Sequence, residues 1–411
     1  MHADSHKPAV LDHRFTAANP DRQRQELEFR CGLAAALQAV KGAGAPETGH
    51  AYGRARELWE RLGSPSEFLH VPWGQSRYHT YRGEFDLALR LAEDILDLSS
   101  QRNDSGGLVL GHHSAGHNLL LAGKFAECRL HLEEVVALYD RIVHRSLAHA
   151  AGHHPHVNAQ SLLGLALFCL GYPEQALARS SAAIAEARKL AHPPSLAVSL
   201  SNSALLLWLI GDDAALNERA DELVAVATEQ GFPVWYALGT TFRGWVKVKT
   251  GDAAEGLFLL RSGSATNRAT GAEHMMPYSL ALLAEAFEIA GQTRDAMTQL
   301  DDALEIVERT GESWFAAKLC RHKGRLLLEQ GHPEAGEELY QKALSIAREQ
   351  GAKSWELRAA VSLAQLRRDR GRRAEAHDLL APVYGWFTEG FGMPDLKDAK
   401  VLLDKLDGER E

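Results

Sequence analysis

Eight glycines, Gly83, Gly123, Gly171, Gly211, Gly251, Gly291, Gly331 and Gly371, punctuate the chain at steps of 40 residues, with one step of 48 between Gly123 and Gly171. Seven residues before each stands a small residue: Ser76, Gly116, Gly164, Ala204, Gly244, Ala284, Gly324 and Ala364. Five residues after each is usually another, as at Ala88, Cys128, Ala176, Gly256, Ala296, Gly336 and Ala376, with Leu216 the exception. A period this regular admits few folds besides a stack of repeated units. The clearest unit is Gly324 to Ala343, GRLLLEQGHPEAGEELYQKA. Its Gly331-His332-Pro333 reads as a helix–turn–helix: glycine accepts the left-handed backbone that ends one helix, and proline suits the first turn of the next. Apolar residues between the marks recur at three and four, as in Leu87, Leu91, Ile95 and Leu98. That is helix periodicity, not strand alternation. The fold class is therefore all-α. Antiparallel helix pairs cannot bury their apolar faces alone, so they stack into a superhelix with one continuous core.

The small–glycine–small spacing resembles the tetratricopeptide repeat, where small residues let the paired helices pack closely; the period here is 40 residues rather than about 34. The expected plan is a flexible segment over 1–20, an N-terminal capping pair over 21–62, a repeat array of about eight helix pairs over 63–391, and a cap helix with a polar tail over 392–411.

The wider wording of the chain is similar to one larger group. APETGHAYGRARELWERLG (45–63), LGYPEQALARS (170–180), ATEQGFPVWYALGTTFRGW (227–245) and LLAPVYGWFTEGF (379–391) resemble the C-terminal helical region of bacterial proteins that join a class III adenylate/guanylate cyclase domain to a signal-transduction ATPase. The resemblance implies a sensor or partner-binding arm. It brings no catalytic residues: KGAGAPETG (41–49) lacks the lysine and Ser/Thr of a phosphate loop.

Composition narrows the partners. A net charge of -9 with a sequence pI near 6.1 argues against unspecific binding to nucleic acid or anionic membrane. Cys31, Cys128, Cys169 and Cys320 form no CxxC pair, as expected of reduced, buried thiols in a cytoplasmic protein. No apolar signal core and no run of 18 or more apolar residues is evident.

The repeat frame also predicts a site. In related repeats the first helix of each pair lines the concave groove, through positions about one turn apart that share a face. By that likeness the groove lining is Arg77, His113, His117, Ser161, Ser201, Thr241, Trp245, Tyr278, Glu285, Lys318, Arg321 and Arg325. Its late end is basic and its early part rich in histidine. A peptide, protein partner or small effector held there is one reading. Arg321 and Arg325, at i and i+4, suit a carboxylate or phosphate. The other reading is a metal centre. Nine of the 20 histidines lie between 112 and 156. His113 and His117 share a helical face, and His149, His153, His154 and His156 fall in the one lengthened step. Such a set would suit zinc or iron, as a metal-dependent enzyme or a metal-centred ligand binder, although the pattern is not HExxH and GHHSAGH (111–117) holds no carboxylate. Trp235, Trp314 and Trp355, which open first helices at nearly one repeat position, are expected to be packing anchors. The run Arg367, Arg368, Arg370, Arg372 and Arg373 is expected to be a solvated turn.

Overall fold

All eight turn glycines adopt positive φ, between 71° at Gly83 and 101° at Gly251, the left-handed conformation that costs other residues most. Each separates the two helices of a pair. The computed structural model describes residues 20–269 and 271–408. The segment before residue 20 and the tail after 408 lie outside these, as does the side chain of His149. Among the described residues there is no strand.

The chain opens with α1 (Pro20–Lys41) and α2 (Pro46–Arg61). The first helices of the eight following pairs are α3 (His70–Tyr81), α5 (Ser105–Leu121), α8 (Pro155–Cys169), α10 (Pro193–Ile210), α12 (Pro233–Lys249), α14 (Met276–Ile289), α16 (Ala316–Glu329) and α18 (Lys353–Asp369). Their partners are α4 (Phe85–Arg102), α6 (Phe125–Leu138), α9 (Pro173–Lys189), α11 (Asp213–Gln230), α13 (Ala253–Ala269), α15 (Thr293–Thr310), α17 (Pro333–Glu349) and α19 (Arg373–Tyr384). The short α7 (Leu147–Ala151) occupies the lengthened step, and α20 (Pro394–Asp407) closes the array. Prolines 173, 193, 233 and 333 stand in the first helical turn, where the missing N–H has no partner to lose.

The small residues mark backbone crossings. A methyl group on Gly324 would lie 2.9 Å from the carbonyl oxygen of Gly336, and one on Gly336 would lie 2.8 Å from that of Gly324. Gly244 and Gly256 repeat the arrangement at 2.7 and 2.6 Å. No side chain fits between α16 and α17, or between α12 and α13, at these points.

The array winds until it meets itself. After five repeats the start of a first helix arrives at the end of an earlier one. The Tyr81 carbonyl, ending α3, accepts the Glu273 N–H at 2.7 Å and the His274 N–H at 3.3 Å, just before α14. The Leu121 carbonyl, ending α5, accepts the Trp314 N–H at 3.2 Å, and Ser313 Oγ donates to the Ala122 carbonyl at 2.7 Å. Ser354 Oγ donates to the Phe168 carbonyl near the end of α8, and Arg358 donates to the Leu209 carbonyl near the end of α10. Helix ends leave carbonyls without intrahelical partners. Here the next superhelical turn supplies the donors, and helix dipoles meet head to tail.

The core is continuous across this seam. One cluster of buried residues runs from Phe85 to Trp355. Trp314 and Trp355 are fully buried, but they anchor more than adjacent repeats. Trp208 stacks on Phe315 with centroids 5.8 Å apart and planes 12° apart, and Trp355 meets Phe168 edge-on at 5.8 Å. Aromatic rings thus fill the middle of the superhelix. The helix α10 is long and apolar enough to cross a membrane, yet 78% of it is buried in this core. All four cysteines are free and buried.

Glu312 is buried in the seam. Its carboxylate accepts the Met275 N–H at 2.9 Å and the Trp314 indole N–H at 3.0 Å. Burial pushes its carboxyl up to about 8, against the lowering effect of those two bonds.

Two outcomes follow from this packing. Gly324→Val is expected to lower unfolding stability by about 1–3 kcal/mol through overpacking, read as a lower urea midpoint. Glu312 binds its proton more tightly folded than unfolded, so its contribution to stability is present below about pH 4.5 and lost as pH rises through about 8. Glu312→Gln removes that loss. Its urea midpoint should gain on wild type as pH rises, by at most about 1.4 kcal/mol per pH unit.

Candidate functional site

Two groups of polar side chains follow, one around Arg77 (the early chamber) and one around Arg321 and Arg358 (the late chamber).

The early chamber gathers around Arg77 on α3. Its guanidinium lies 5.5 Å from the Trp73 ring and 5.4 Å from the Tyr81 ring, and donates to the Ala151 carbonyl at 2.7 Å. That carbonyl ends α7, so the eight extra residues of the irregular step fold back onto Arg77. The same segment delivers His153, whose ring lies 5.6 Å from that of His113 on α5. Asn158 Nδ2 donates to Nε2 of both, at 3.1 Å to His113 and 3.2 Å to His153, and Asn158 Oδ1 accepts from Asn202 at 3.3 Å. Both imidazoles therefore present a lone pair at Nε2 and are neutral. His117, one turn beyond His113, lies 6.3 Å from His274, which the seam brings from the next superhelical turn. Burial lowers His113 to about 3, His117 to about 4 and His274 to about 3, with Arg77 and neighbouring imidazoles adding to the effect.

Among the described residues, the predicted metal ligands other than His149 are not gathered into one centre. His154 Nδ1 and the Tyr139 hydroxyl lie 3.0 Å apart, and His156 stacks on Tyr139 with centroids 5.1 Å apart. These two sit apart from the Asn158 network that holds His113 and His153, while His117 faces His274. Among the described residues no three His, Cys, Asp or Glu side chains are placed to hold a metal ion.

The middle positions are packed away. Ser161 donates to the Val157 carbonyl at 3.2 Å, Thr241 donates to the Ala237 carbonyl at 2.9 Å against Gly263, and Ser201 is buried. A hydroxyl that returns its hydrogen bond to the preceding turn needs no groove. Tyr278 joins the plug, 6.4 Å from Trp208 and 6.3 Å from Trp314.

The late chamber is open. A cavity of about 350 Å³ is lined by Trp208, Trp245, Glu285, Glu288, Lys318, Arg325 and Arg358, among others. A second, of about 330 Å³, adjoins it through Arg358 and Asp395 and is lined by Arg321, Ser362, Gln365 and Asp398. Most of the charges are paired. Lys318 bonds Glu285 and lies 4.7 Å from the Trp208 ring. Glu288 accepts from Arg325 and meets His322 at 2.7 Å. Burial would raise its carboxyl, but those two hydrogen bonds outweigh it and hold it at about 2. Arg358 bonds Asp395 at 2.7 Å. Arg321 differs: among the described residues its side chain hydrogen-bonds Ser362 Oγ at 3.5 Å and no carboxylate, and its buried Nε has no partner. Trp245, Glu285, Arg321 and Arg325, all predicted groove residues, meet here.

Sequence reasoning missed Arg358, although Tyr278, Lys318 and Arg358 stand 40 residues apart at one repeat position. It missed His274, which lies in a loop and reaches Arg77 only through the seam. The arginine run is a turn, and two of its members pair with Glu337.

No family model matches the chain. A search of curated proteins finds an uncharacterized protein of Rhizobium meliloti (strain 1021), 26% identical over 246 residues, which are 59% of this chain and 24% of that protein. The chain thus spans about a quarter of that relative's length. Among solved structures, a Rap protein complexed with competence and sporulation factor matches with a TM-score of 0.53 at 11% identity, covering 94% of this chain and 98% of that one. The Rap conjugation gene regulator of the plasmid pLS20, in complex with the Phr* peptide, matches at 0.50 and 10% identity, covering 93% and 97%. The fold is a tetratricopeptide-like α-solenoid.

The neutral imidazoles predict a pH response. Their pKa values are depressed relative to an unfolded value near 6.5, so the unfolded chain binds more protons below that pH. Stability should fall as pH drops from about 6.5 toward 4, by up to about 1.4 kcal/mol per unit for His113 alone. Urea unfolding across that range should show a shallower loss in His113→Leu than in wild type.

Proposed function

We propose that this chain is a regulatory binding protein that holds a peptide or a segment of a protein partner in its late chamber. The observation that carries this reading is Arg321. Among the described residues no carboxylate hydrogen-bonds it, although Asp395 and Glu285 act on it from a distance, and it stands on the wall of adjoining cavities that also offer the Trp208 and Trp245 rings. Indole faces accept apolar or cationic side chains, and an unpaired guanidinium accepts a carboxylate, at a chain end or on Asp or Glu. The paired charges around it hold both walls in place and would select register rather than supply affinity. Both Rap structures similar in fold are complexes, one with competence and sporulation factor and one with the Phr* peptide. That supports a ligand held within the solenoid.

The resemblance to cyclase–ATPase signalling proteins supports a role as their sensor or partner-binding arm. The Rhizobium relative, about four times as long as the stretch it shares, supports the view that such an array serves within a larger assembly. Acidic charge and four free buried thiols support a cytoplasmic protein that does not take nucleic acid as its partner.

The test is capture of partners by wild type and by Arg321→Glu in parallel, with identification of what is bound. Reversing the charge of Arg321 is expected to weaken the captured ligand at least about tenfold, the loss of a charge-assisted hydrogen bond with added repulsion. An identical ligand set at unchanged affinity would refute the reading.

A further inference from the structure

The early chamber has an electrostatic imbalance. Arg77 has aromatic rings on two sides and a carbonyl on the third, and no carboxylate among the described residues pairs with it. The charged groups acting on His113, His117 and His274 are Arg77 and other imidazoles alone. The same holds for His153, which also feels His192. Tyr52 contributes a neutral phenol. Elsewhere in this acidic chain most buried or half-buried cations have an acid beside them, as Lys318 has Glu285 and Arg358 has Asp395. Arg77, His117 and His274 are only partly buried, and the buried Nδ1 of His274 has no hydrogen-bond partner.

These groups come from four separate stretches: α3, α5, the irregular segment after α7, and the loop before α14. Two of the deliveries depart from the repeat pattern. The irregular step brings Ala151 and His153 to Arg77, and the seam brings His274. A half-buried guanidinium with neutral imidazoles around it is a poor host for a metal cation and a good one for an anion. Each imidazole can donate one N–H while neutral, and two once protonated.

We propose that the Arg77 chamber is a binding site for an oxyanion group, phosphate or carboxylate, held by Arg77, His117 and His274 and backed by His113, His153 and Asn158. The anion supplies the negative charge that the chamber lacks. It favours the protonated imidazole, so binding takes up a proton and tightens as pH falls. The site stands apart from the late chamber, and its test does not depend on the partner proposed above.

Thermal unfolding of the full chain, titrated with inorganic phosphate, acetate or chloride at matched ionic strength, reads the site directly. Phosphate or acetate, whichever source the chamber accepts, is expected to raise the unfolding temperature saturably beyond chloride. The apparent affinity should be several-fold tighter at pH about 6 than at pH about 8. Arg77→Gln should weaken it by about tenfold or more. His274→Gln keeps the backbone N–H that bonds Tyr81, so it tests the site even if the arginine variant folds poorly; it should weaken binding and flatten the pH dependence. A response to phosphate and acetate no greater than to chloride overturns the proposal. So does a saturable response that both variants retain unchanged.

Discussion

The structure depends on carbonyl groups at the ends of first helices. A solenoid can wind openly and leave those carbonyls to water. Here the turns touch: backbone N–H groups and serine hydroxyls from five repeats later bond to the ends of α3, α5 and α8, and an arginine from four repeats later bonds to the end of α10. Each bond is worth little by itself against solvent. Together they align successive helices head to tail and exclude water, so that Trp314, Phe315 and Trp355 can be buried among residues far away in sequence. The superhelix becomes a body with long-range contacts rather than a chain of nearest neighbours.

That closure decides what the inner surface can do. An open groove would display the same positions in every repeat. The contact between turns fills the middle with aromatic rings and leaves chemistry at the two ends. At the late end, acids and bases are mostly matched and one arginine is left over. At the early end, among the described residues, no carboxylate pairs with Arg77, and the single irregular repeat carries histidine beside it. The two chambers differ in kind because the early one adds a loop and the irregular segment to the first-helix positions that line the late one.

Much of this was legible in the residues. The turn glycines, the helix pairs and the close crossings at Gly324 and Gly336 followed from a spacing of 40. A glycine at a left-handed turn and a small residue at a crossing are local requirements, and local requirements leave periodic marks. The sequence marked Lys318, Arg321 and Arg325 as the basic end of the first-helix face; that Trp245 and Glu285 line the adjoining cavity came from the tertiary structure. Less was legible in the middle. Ser161 and Thr241 occupy the expected register, yet their hydroxyls turn back to their own helices and their neighbours cover them. The histidine-rich segment coincided with the one break in the rhythm. Side-chain direction then separated His154 and His156, which pack on Tyr139, from His113 and His153, which share Asn158.

The sequence by itself determined the unit, its repetition and the place where the rhythm breaks, because backbone conformation and helix contact act over a few residues. Tertiary structure alone decided where the superhelix closes, which rings plug it, and that His274 stands beside His117. Those outcomes depend on the small rotation between successive repeats, summed over five of them, and no single stretch of residues encodes that sum.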